Sequence, residues 1–223
     1  MADIILVVAA HPDDEALGCG GTMARHAAAG DEVHVVFMAD GVGARQGGAA
    51  ELAERNAHMD VALAALGAKS AHSLGFPDNQ MDSVPFLRIV QALEAAFTAV
   101  APTIVYTHHV SDLNVDHRLT AAAVLTACRP IPGNAVREIL AFEIMSSTEW
   151  AGPDRRVFEP SVFVDITDTW PQKRAALEAY AREMRPPPHS RSVEHLDVLS
   201  RHRGMSVGIE RAEAFVVLRQ VRR

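Results

Sequence analysis

The feature that most constrains the fold is a series of short apolar runs that alternate with longer helical patterns. Residues 3–9 (DIILVVA) and 33–38 (VHVVFM) are apolar at nearly every position, which is typical of strands buried on both faces. Between them, residues 15–29 have the composition of an Ala-rich helix that ends at Gly30. This alternation predicts a mostly parallel sheet with helices on both of its faces.

The same alternation continues along the chain and becomes less regular in the second half. No stretch of linker composition divides the chain, so we expect a single Rossmann-like α/β domain over residues 1–223. The further strands are predicted at 71–74, 103–107, 138–144, 161–166 and 214–218, and the further helices at 49–66, 84–100, 116–128, 170–184 and 193–202.

Charge and cysteine content restrict the partners and the compartment. A formal net charge of −7 disfavours nucleic acid or an anionic membrane as the main partner. The two cysteines, Cys19 and Cys128, form neither a disulfide framework nor a zinc-finger pattern. The first ten residues lack a basic region and an apolar run long enough for a membrane anchor. We therefore expect a cytoplasmic protein with reduced thiols.

A cluster of ionisable residues follows the first predicted strand directly, in the stretch AAHPDDE (residues 9–15). Ligands of open parallel sheets bind at the carboxyl ends of the strands. His11 and Asp14 can point at one site from a turn that enters a helix, and an imidazole with a carboxylate suits zinc. Asp13 could act as a general base beside them. The alternative is that the acidic residues only cap the helix.

A second polar cluster, residues 108–118, follows the fourth predicted strand. His117 could supply the imidazole that the first cluster lacks. Two histidines and one aspartate leave a coordination position open, as in hydrolytic zinc sites. Ferrous iron and cobalt fit the same ligands. The alternative is a solvated loop with His117 near the start of a helix.

Together the two clusters resemble the PIG-L/LmbE-like family of zinc-dependent N-deacetylases. Its A-H-P-D-D-E signature is matched by residues 10–15, and its N-x-D-H element by residues 114–117. The resemblance implies a Rossmann-like fold and removal of the acetyl group from an N-acetylated amino sugar. By position it also implies three zinc ligands and a general base, namely His11, Asp14 and His117 with Asp13.

The source of the proton for the leaving amine is open in this sequence. Several family members carry a histidine three residues before the last ligand, where this chain has Asn114. An amide can donate to an oxyanion but cannot act as a general acid. Either Asp13 carries the proton both ways, or His108 or His109 supplies it, with Asp112 orienting one of them. Alternatively, Asn114 only caps the following helix.

Substrate contacts are expected from Arg55, Asp112 and Trp150. Arg55 matches a basic family residue that contacts sugar hydroxyls, although His58 replaces the glutamate of that pattern. Trp150 could stack on a sugar face, but most tryptophans belong to cores or interfaces.

Three other stretches carry polar residues outside the two clusters. The loop at Asp40–Gly43 could shape the sugar site or be a simple turn. Residues 76–80 could touch the substrate, but we expect them to form a plain loop. The late polar residues are predicted to lie on a solvated face rather than in a phosphate or nucleotide site; they are His189, Arg191 and His195.

The sequence therefore predicts a metal-dependent hydrolase in which a zinc-bound water attacks an acetamide and Asp13 is the general base. The products would be acetate and the free amine of a small amino-sugar conjugate. The alternatives are an amidase acting on a non-sugar substrate and a non-catalytic sugar-binding member of the fold. Asp13 argues against a mere binder, which needs no base beside a metal. The family resemblance also makes a homo-oligomer possible.

Overall fold

A single seven-stranded sheet runs through the protein, as seen in a computed structural model that describes residues 2–41 and 49–222. The strand order is β3-β2-β1-β4-β5-β7-β6, and β7 runs in the direction opposite to that of the other six strands. The strands are β1 (Ile4–Ala9), β2 (Glu32–Ala39), β3 (Ser70–Phe76), β4 (Ile104–His108), β5 (Glu138–Phe142), β6 (Val162–Asp165) and β7 (Ala212–Gln220).

Helices cover both faces of this sheet, which confirms the predicted fold class. Alternate residues of β1 enter opposite cores: Ile5 and Val7 pack with α1, α2, α5 and α6, whereas Leu6 and Val8 pack with α3 and α4. This double burial explains why β1 is apolar at every position. The helices are α1 (Asp14–Ala29), α2 (Ala49–Leu66), α3 (Phe86–Val100), α4 (Val115–Ala127), α5 (Trp170–Ala179) and α6 (Val193–Met205). Within the described residues, no helix has the length and apolarity needed to cross a membrane.

The strand order creates a crevice beside the end of β1. The chain runs outward from β1 through β2 to β3, then returns to the other side of β1 with β4. Connections leave β1 and β4 toward opposite faces at this point, which is where ligands bind in open α/β sheets. The two polar clusters that follow β1 and β4 therefore lie side by side.

Helix α1 is broken at Cys19 (φ −144°), although the sequence predicts one continuous helix. Close packing against the sheet requires the neighbouring glycines. A Cβ at Gly18 would lie 2.4 Å from the ring of Phe142, and one at Gly21 would lie 2.8 Å from Ile166.

A buried ion pair from distant parts of the chain bridges the break. Lys173 Nζ lies 2.6 Å from Glu213 Oε1 and donates to the carbonyl of Leu17 at 2.9 Å. The carboxylate of Glu213 accepts from the amides of Gly21 at 2.9 Å and Thr22 at 2.7 Å. These contacts satisfy backbone groups that the broken helix leaves without intrahelical partners.

Helix α5 ends at Ala179, whereas the sequence predicts a helix over 170–184. The amides of Glu183 and Met184 both donate to the carbonyl of Tyr180, at 2.8 Å and 3.3 Å. The turn that results directs Tyr180 and Glu183 toward the start of α1.

Candidate active site

The turn after β1 is fixed between the neighbouring strands. The amide of Ala10 donates to Nε2 of His108 at 2.8 Å, and its carbonyl accepts from the amide of Ala39 at 2.9 Å. His108 is fully buried, and burial together with the nearby His117 lowers its pKa to about 3. His108 is therefore a neutral acceptor that holds the backbone, which differs from the predicted catalytic histidine.

Three potential ligand atoms converge at the start of α1. Asp14 Oδ2 lies 3.4 Å from His11 Nδ1 and 3.4 Å from His117 Nε2. The three residues are buried, and each offers one ligand atom that lies within 4.8 Å of the ligand atoms of the other two. Donors around a tetrahedral zinc with bonds of about 2.1 Å are separated by roughly 3.4 Å. The residues present therefore fit a zinc-sized cation.

His11 is oriented from its other side by the turns after β3 and β4. Its Nε2 lies 3.1 Å from Asp116 Oδ2 and 3.2 Å from Asp78 Oδ1. Asp116 also accepts from the amides of Asn79 at 2.7 Å and Met81 at 3.1 Å. A ligating histidine is commonly held in this way, with one nitrogen toward the metal and the other on a carboxylate. The structure thus gives Asp78 a role that the sequence interpretation, a plain loop, did not anticipate.

His117 is oriented in the same manner. Its Nδ1 lies 3.1 Å from Asp112 Oδ1. Asp112 is fully buried and accepts from the hydroxyl groups of Ser147 and, at 2.6 Å, Thr148. Burial raises the pKa of Asp112, but the hydrogen bonds from these three residues outweigh it and hold the pKa well below its usual range. Asp112 therefore contacts His117 rather than the cavity, where a substrate contact was predicted.

The charge balance around the two imidazoles favours a cation. Burial lowers the pKa of His117, yet Asp14 and Asp112 together raise it to about 9. His11 has its pKa raised in the same way, because carboxylates outweigh the effect of burial. Carboxylates that attract a proton so strongly also attract a divalent metal ion, which competes for the same nitrogens.

Asp13 lies beside these groups but faces two guanidinium groups instead. It accepts from Arg191 Nη1 at 3.2 Å, and its other oxygen lies 3.6 Å from Arg55 Nη2. Its backbone has a φ of 124°, a value rare for residues other than glycine. Burial raises the pKa of Asp13 to about 6, although Arg55 and Arg191 oppose the shift. A carboxyl group with such a pKa suits proton transfer near neutral pH.

Arg55 is held at the cavity wall by several contacts. It donates to the carbonyl of Pro12 and forms an ion pair with Glu183. Gly41 (φ +71°) leaves room for the guanidinium, since a Cβ there would lie 3.1 Å from Arg55 Nη2. Within the predicted loop at Asp40–Gly43, Val42 and Gly43 lie outside the described residues.

Asn114 caps helix α4 and also lines the cavity. Its Oδ1 accepts from the amide of Asp116 at 2.8 Å, and its Nδ2 donates to Asn79 Oδ1 at 2.9 Å. The capping alternative is therefore realised in the structure. A role as oxyanion donor stays a prediction.

The converging groups line a cavity of about 140 Å³. Its far wall comes from Ser146, Glu183 and Arg191. The sequence interpretation left Arg191 on a solvated face and did not single out Glu183, whereas Ser146 was expected as a possible residue of the rim. Arg191 Nε donates to Ser146 Oγ at 3.0 Å. Larger clefts of about 450 and 580 Å³ lie on the surfaces of α5–α6 and α3–α4, but no histidine lines either of them.

Besides His108 and Asp112, two further predicted site residues do not reach this cavity. His109 packs against Phe158, with ring centroids 5.4 Å apart, and its amide donates to the carbonyl of Phe142. Trp150 is 52% exposed and meets the ring of His189 edge-on at 5.7 Å. Neither residue is positioned to touch a group bound between His11 and Asp13.

Comparison with known proteins finds a protein family that this chain matches. Residues 6–128 match the family described as PIG-L, GlcNAc-PI de-N-acetylase. An Escherichia coli protein named "Uncharacterized deacetylase YaiS" is 31% identical over 182 residues, which cover 79% of this chain and 89% of that protein. The 4-oxalmesaconate hydratase of Pseudomonas putida is 28% identical over 193 residues, covering 79% of this chain and 72% of that enzyme.

The fold is also shared with solved structures. One is N,N'-diacetylchitobiose deacetylase from Pyrococcus horikoshii, with a TM-score of 0.75 and 21% identity. The match covers 96% of this chain and 83% of that one. It includes the C-terminal part that the family model does not reach.

Proposed function

The chain belongs to the PIG-L family, and we propose that it is a metal-dependent hydrolase that removes the acetyl group from an N-acetylated amino-sugar conjugate. The products are acetate and a free amine. One observation carries the proposal: the ligand atoms of His11, Asp14 and His117 converge beside Asp13 in one cavity at the strand ends.

We propose His11, Asp14 and His117 as the metal ligands, with zinc as the preferred ion and ferrous iron or cobalt as substitutes. When bound, the metal polarises the acetamide carbonyl and lowers the pKa of a water molecule. The carboxylates of Asp78, Asp112 and Asp116 keep the two imidazoles turned toward Asp14.

Asp13 is the proposed general base. Its carboxylate takes the proton from the attacking water and later delivers it to the leaving nitrogen. The contacts of Asp13 with Arg55 and Arg191 support this role, because they keep the carboxylate at the cavity wall.

We assign the return of the proton to Asp13 alone. Asn114 has no acidic proton to give. His108 accepts a hydrogen bond from Ala10, and His109 is turned toward Phe158, so neither supports a proton transfer in the cavity. The Nδ2 group of Asn114 remains the proposed donor to the developing oxyanion.

The amino-sugar substrate is supported by the family description and by the polar walls of the cavity. A volume of about 140 Å³ suits the acetamide group, with the rest of the conjugate at the mouth. Arg55 is the proposed sugar contact. Trp150 lies beyond the cavity, so it could touch only a part of the conjugate outside the mouth.

A second candidate is a hydratase, which adds water to a carbon–carbon double bond. The 28% identity to a hydratase favours it. Hydration, like deacetylation, must return the proton of the attacking water, here to a carbon atom of the double bond, and Asp13 would carry it. In this reaction Asp13 would still activate the water, and Arg55 and Arg191 would bind a carboxylate of the substrate.

The two candidates are separated by assaying the zinc-loaded protein in parallel. Acetate release is measured on free and nucleotide-linked N-acetyl amino sugars, and loss of ultraviolet absorbance on conjugated unsaturated dicarboxylates. We expect acetate release, and we expect Asp13→Asn to lower its rate strongly. Hydration without acetate release would overturn the deacetylase proposal in favour of the hydratase.

A further inference from the structure

The backbone of Asp13 adopts a conformation that its own side chain does not favour. Its φ of 124° and ψ of −28° lie outside the regions that residues with a Cβ normally populate. Such a conformation persists only when surrounding contacts over-determine it. The contacts that hold this residue therefore decide where its carboxylate points.

The peptide bond between Pro12 and Asp13 is held from both sides. Its carbonyl oxygen accepts from Arg55 Nη2, and its N–H donates to Glu15 Oε2 at 3.0 Å. Arg55 is 6% exposed and Glu15 is fully buried, so water does not compete for either bond. These two side chains clamp the peptide that sets the orientation of Asp13.

Both residues of the clamp, Glu15 and Arg55, contact Tyr180. Its hydroxyl group donates to Glu15 Oε1 at 2.7 Å. Its ring lies under the guanidinium of Arg55, with Arg55 Cζ 5.6 Å from the ring centroid. Tyr180 is 1% exposed and follows α5 directly, outside the residues that match the family model.

We propose that Tyr180 is a positioning residue that fixes the carboxylate of Asp13 through Glu15 and Arg55. It touches neither the substrate nor the metal ligands. The inference rests on the proposed function only in that Asp13 is the base. The clamp itself is a property of the protein without substrate.

The test compares the two tyrosines of the chain. Tyr180→Phe removes the hydroxyl that supports Glu15. Tyr106→Phe is the matched control, because Tyr106 is equally buried and its hydroxyl lies 2.9 Å from His26 Nε2, at the other end of α1. We expect Tyr180→Phe to lower kcat about 10- to 100-fold, since displacing a reacting group by about 1 Å has effects of this size. KM and metal content should stay within twofold of wild type, and Tyr106→Phe should keep wild-type kcat.

A second readout does not depend on activity. Hydrogen exchange of the zinc-loaded, substrate-free protein is followed in the segment that contains residues 12–17. We expect faster exchange there in Tyr180→Phe and unchanged exchange in Tyr106→Phe, because the amide of Asp13 loses a well-held acceptor. If wild type shows no deacetylase activity, the proposed function fails, and this exchange still decides the positioning role.

Coupling between residues supplies the final check. If the effect of Tyr180 passes through Glu15, kcat of Glu15→Gln/Tyr180→Phe should be no lower than that of Glu15→Gln. Multiplicative losses would overturn the proposal. Equal kcat losses in the two tyrosine variants, or unchanged exchange in Tyr180→Phe, would overturn it as well.

Discussion

The cavity has two sides that are built in different ways. The ligand side consists of residues 10–14 and 112–117, which follow β1 and β4 within a few positions. The opposite side belongs to the C-terminal part, residues 143–222, which supplies Glu183 and Arg191 from an irregular segment between two helices. The ligand side contains the groups suited to metal binding and proton transfer, whereas the C-terminal part holds these groups in place.

The two sides differ in how their functional groups are placed: the local sequence places those of the ligand side, and packing places those of the C-terminal part. Each imidazole of the ligand side is placed by the end of a strand and oriented by a carboxylate. Arg191 instead reaches Asp13 only because the chain after α5 folds back over the cavity. Substitutions on the ligand side should therefore abolish metal binding or proton transfer. Substitutions in the C-terminal part should only weaken the contacts that hold these groups in place.

The largest effect is expected for the metal ligands. Wild type should hold about one zinc per chain, and His11→Ala and His117→Ala should lose both the metal and the activity, because a site with three protein ligands loses one. Elemental analysis after dialysis measures this. The control is His34→Ala, a histidine of β2 that contacts Ser70. Metal retained in both ligand variants would contradict the assignment.

The next largest effect is expected for Asp13→Asn. The amide cannot accept the proton from water, so kcat should fall about 10²- to 10⁴-fold, the usual contribution of a general base. Zinc content should remain at the wild-type level, which separates this variant from the ligand variants. Asp82→Asn is the control, because Asp82 is an exposed carboxylate of the short helical turn Met81–Ser83 and does not line the cavity. A kcat close to that of wild type would show that another group is the base.

The C-terminal part should matter first for stability. Lys173→Met leaves the carboxylate of Glu213 buried without its cation, which costs about 3–5 kcal/mol for broken buried pairs. Denaturant unfolding measures the loss. Arg174→Met is the control on the same helix, since its ion pair with Glu178 is exposed. Equal unfolding midpoints for the two variants would mean that the Lys173–Glu213 pair does not support α1.

The same contrast explains how much the sequence could predict. The unbroken apolar runs placed β1, β2 and β4 within one or two residues, because strands buried on both faces have no polar positions. The antiparallel direction of β7 and the break of α1 at Cys19 were not predictable in this way. The break of α1 depends on contacts with Lys173 and Glu213, which lie far away in the sequence. The direction of β7 depends on its pairing with β5 and β6.

The site follows the same rule. That His11, Asp14 and His117 meet could be predicted from two strand ends at one edge of a sheet, while their role as metal ligands stays a prediction. Asp78 follows β3 at the same edge, so this signal was present but weak. The sequence held no such signal for Tyr180 and Arg191, since no periodicity or motif shows which late residues fold back onto Asp13.

The smallest effect is expected for Arg191→Gln. This variant tests most directly whether the two sides of the cavity have different roles. The variant removes a charged donor to Asp13 but leaves Arg55 and the metal ligands in place. A hydrogen bond to a charged group contributes roughly 1.5–3 kcal/mol. Because Arg191 is partly exposed and its bond to Asp13 is 3.2 Å long, we expect the lower end of this range, a fall in kcat/KM of about tenfold, with zinc content unchanged. Steady-state kinetics measures this, with Arg185→Gln as the control, because Arg185 is exposed and its side chain donates to the nearby carbonyls of Arg182 and Met184. If Arg191→Gln lowered kcat/KM as far as Asp13→Asn, the C-terminal part would be carrying out the chemistry itself, and the division between the two sides would fail.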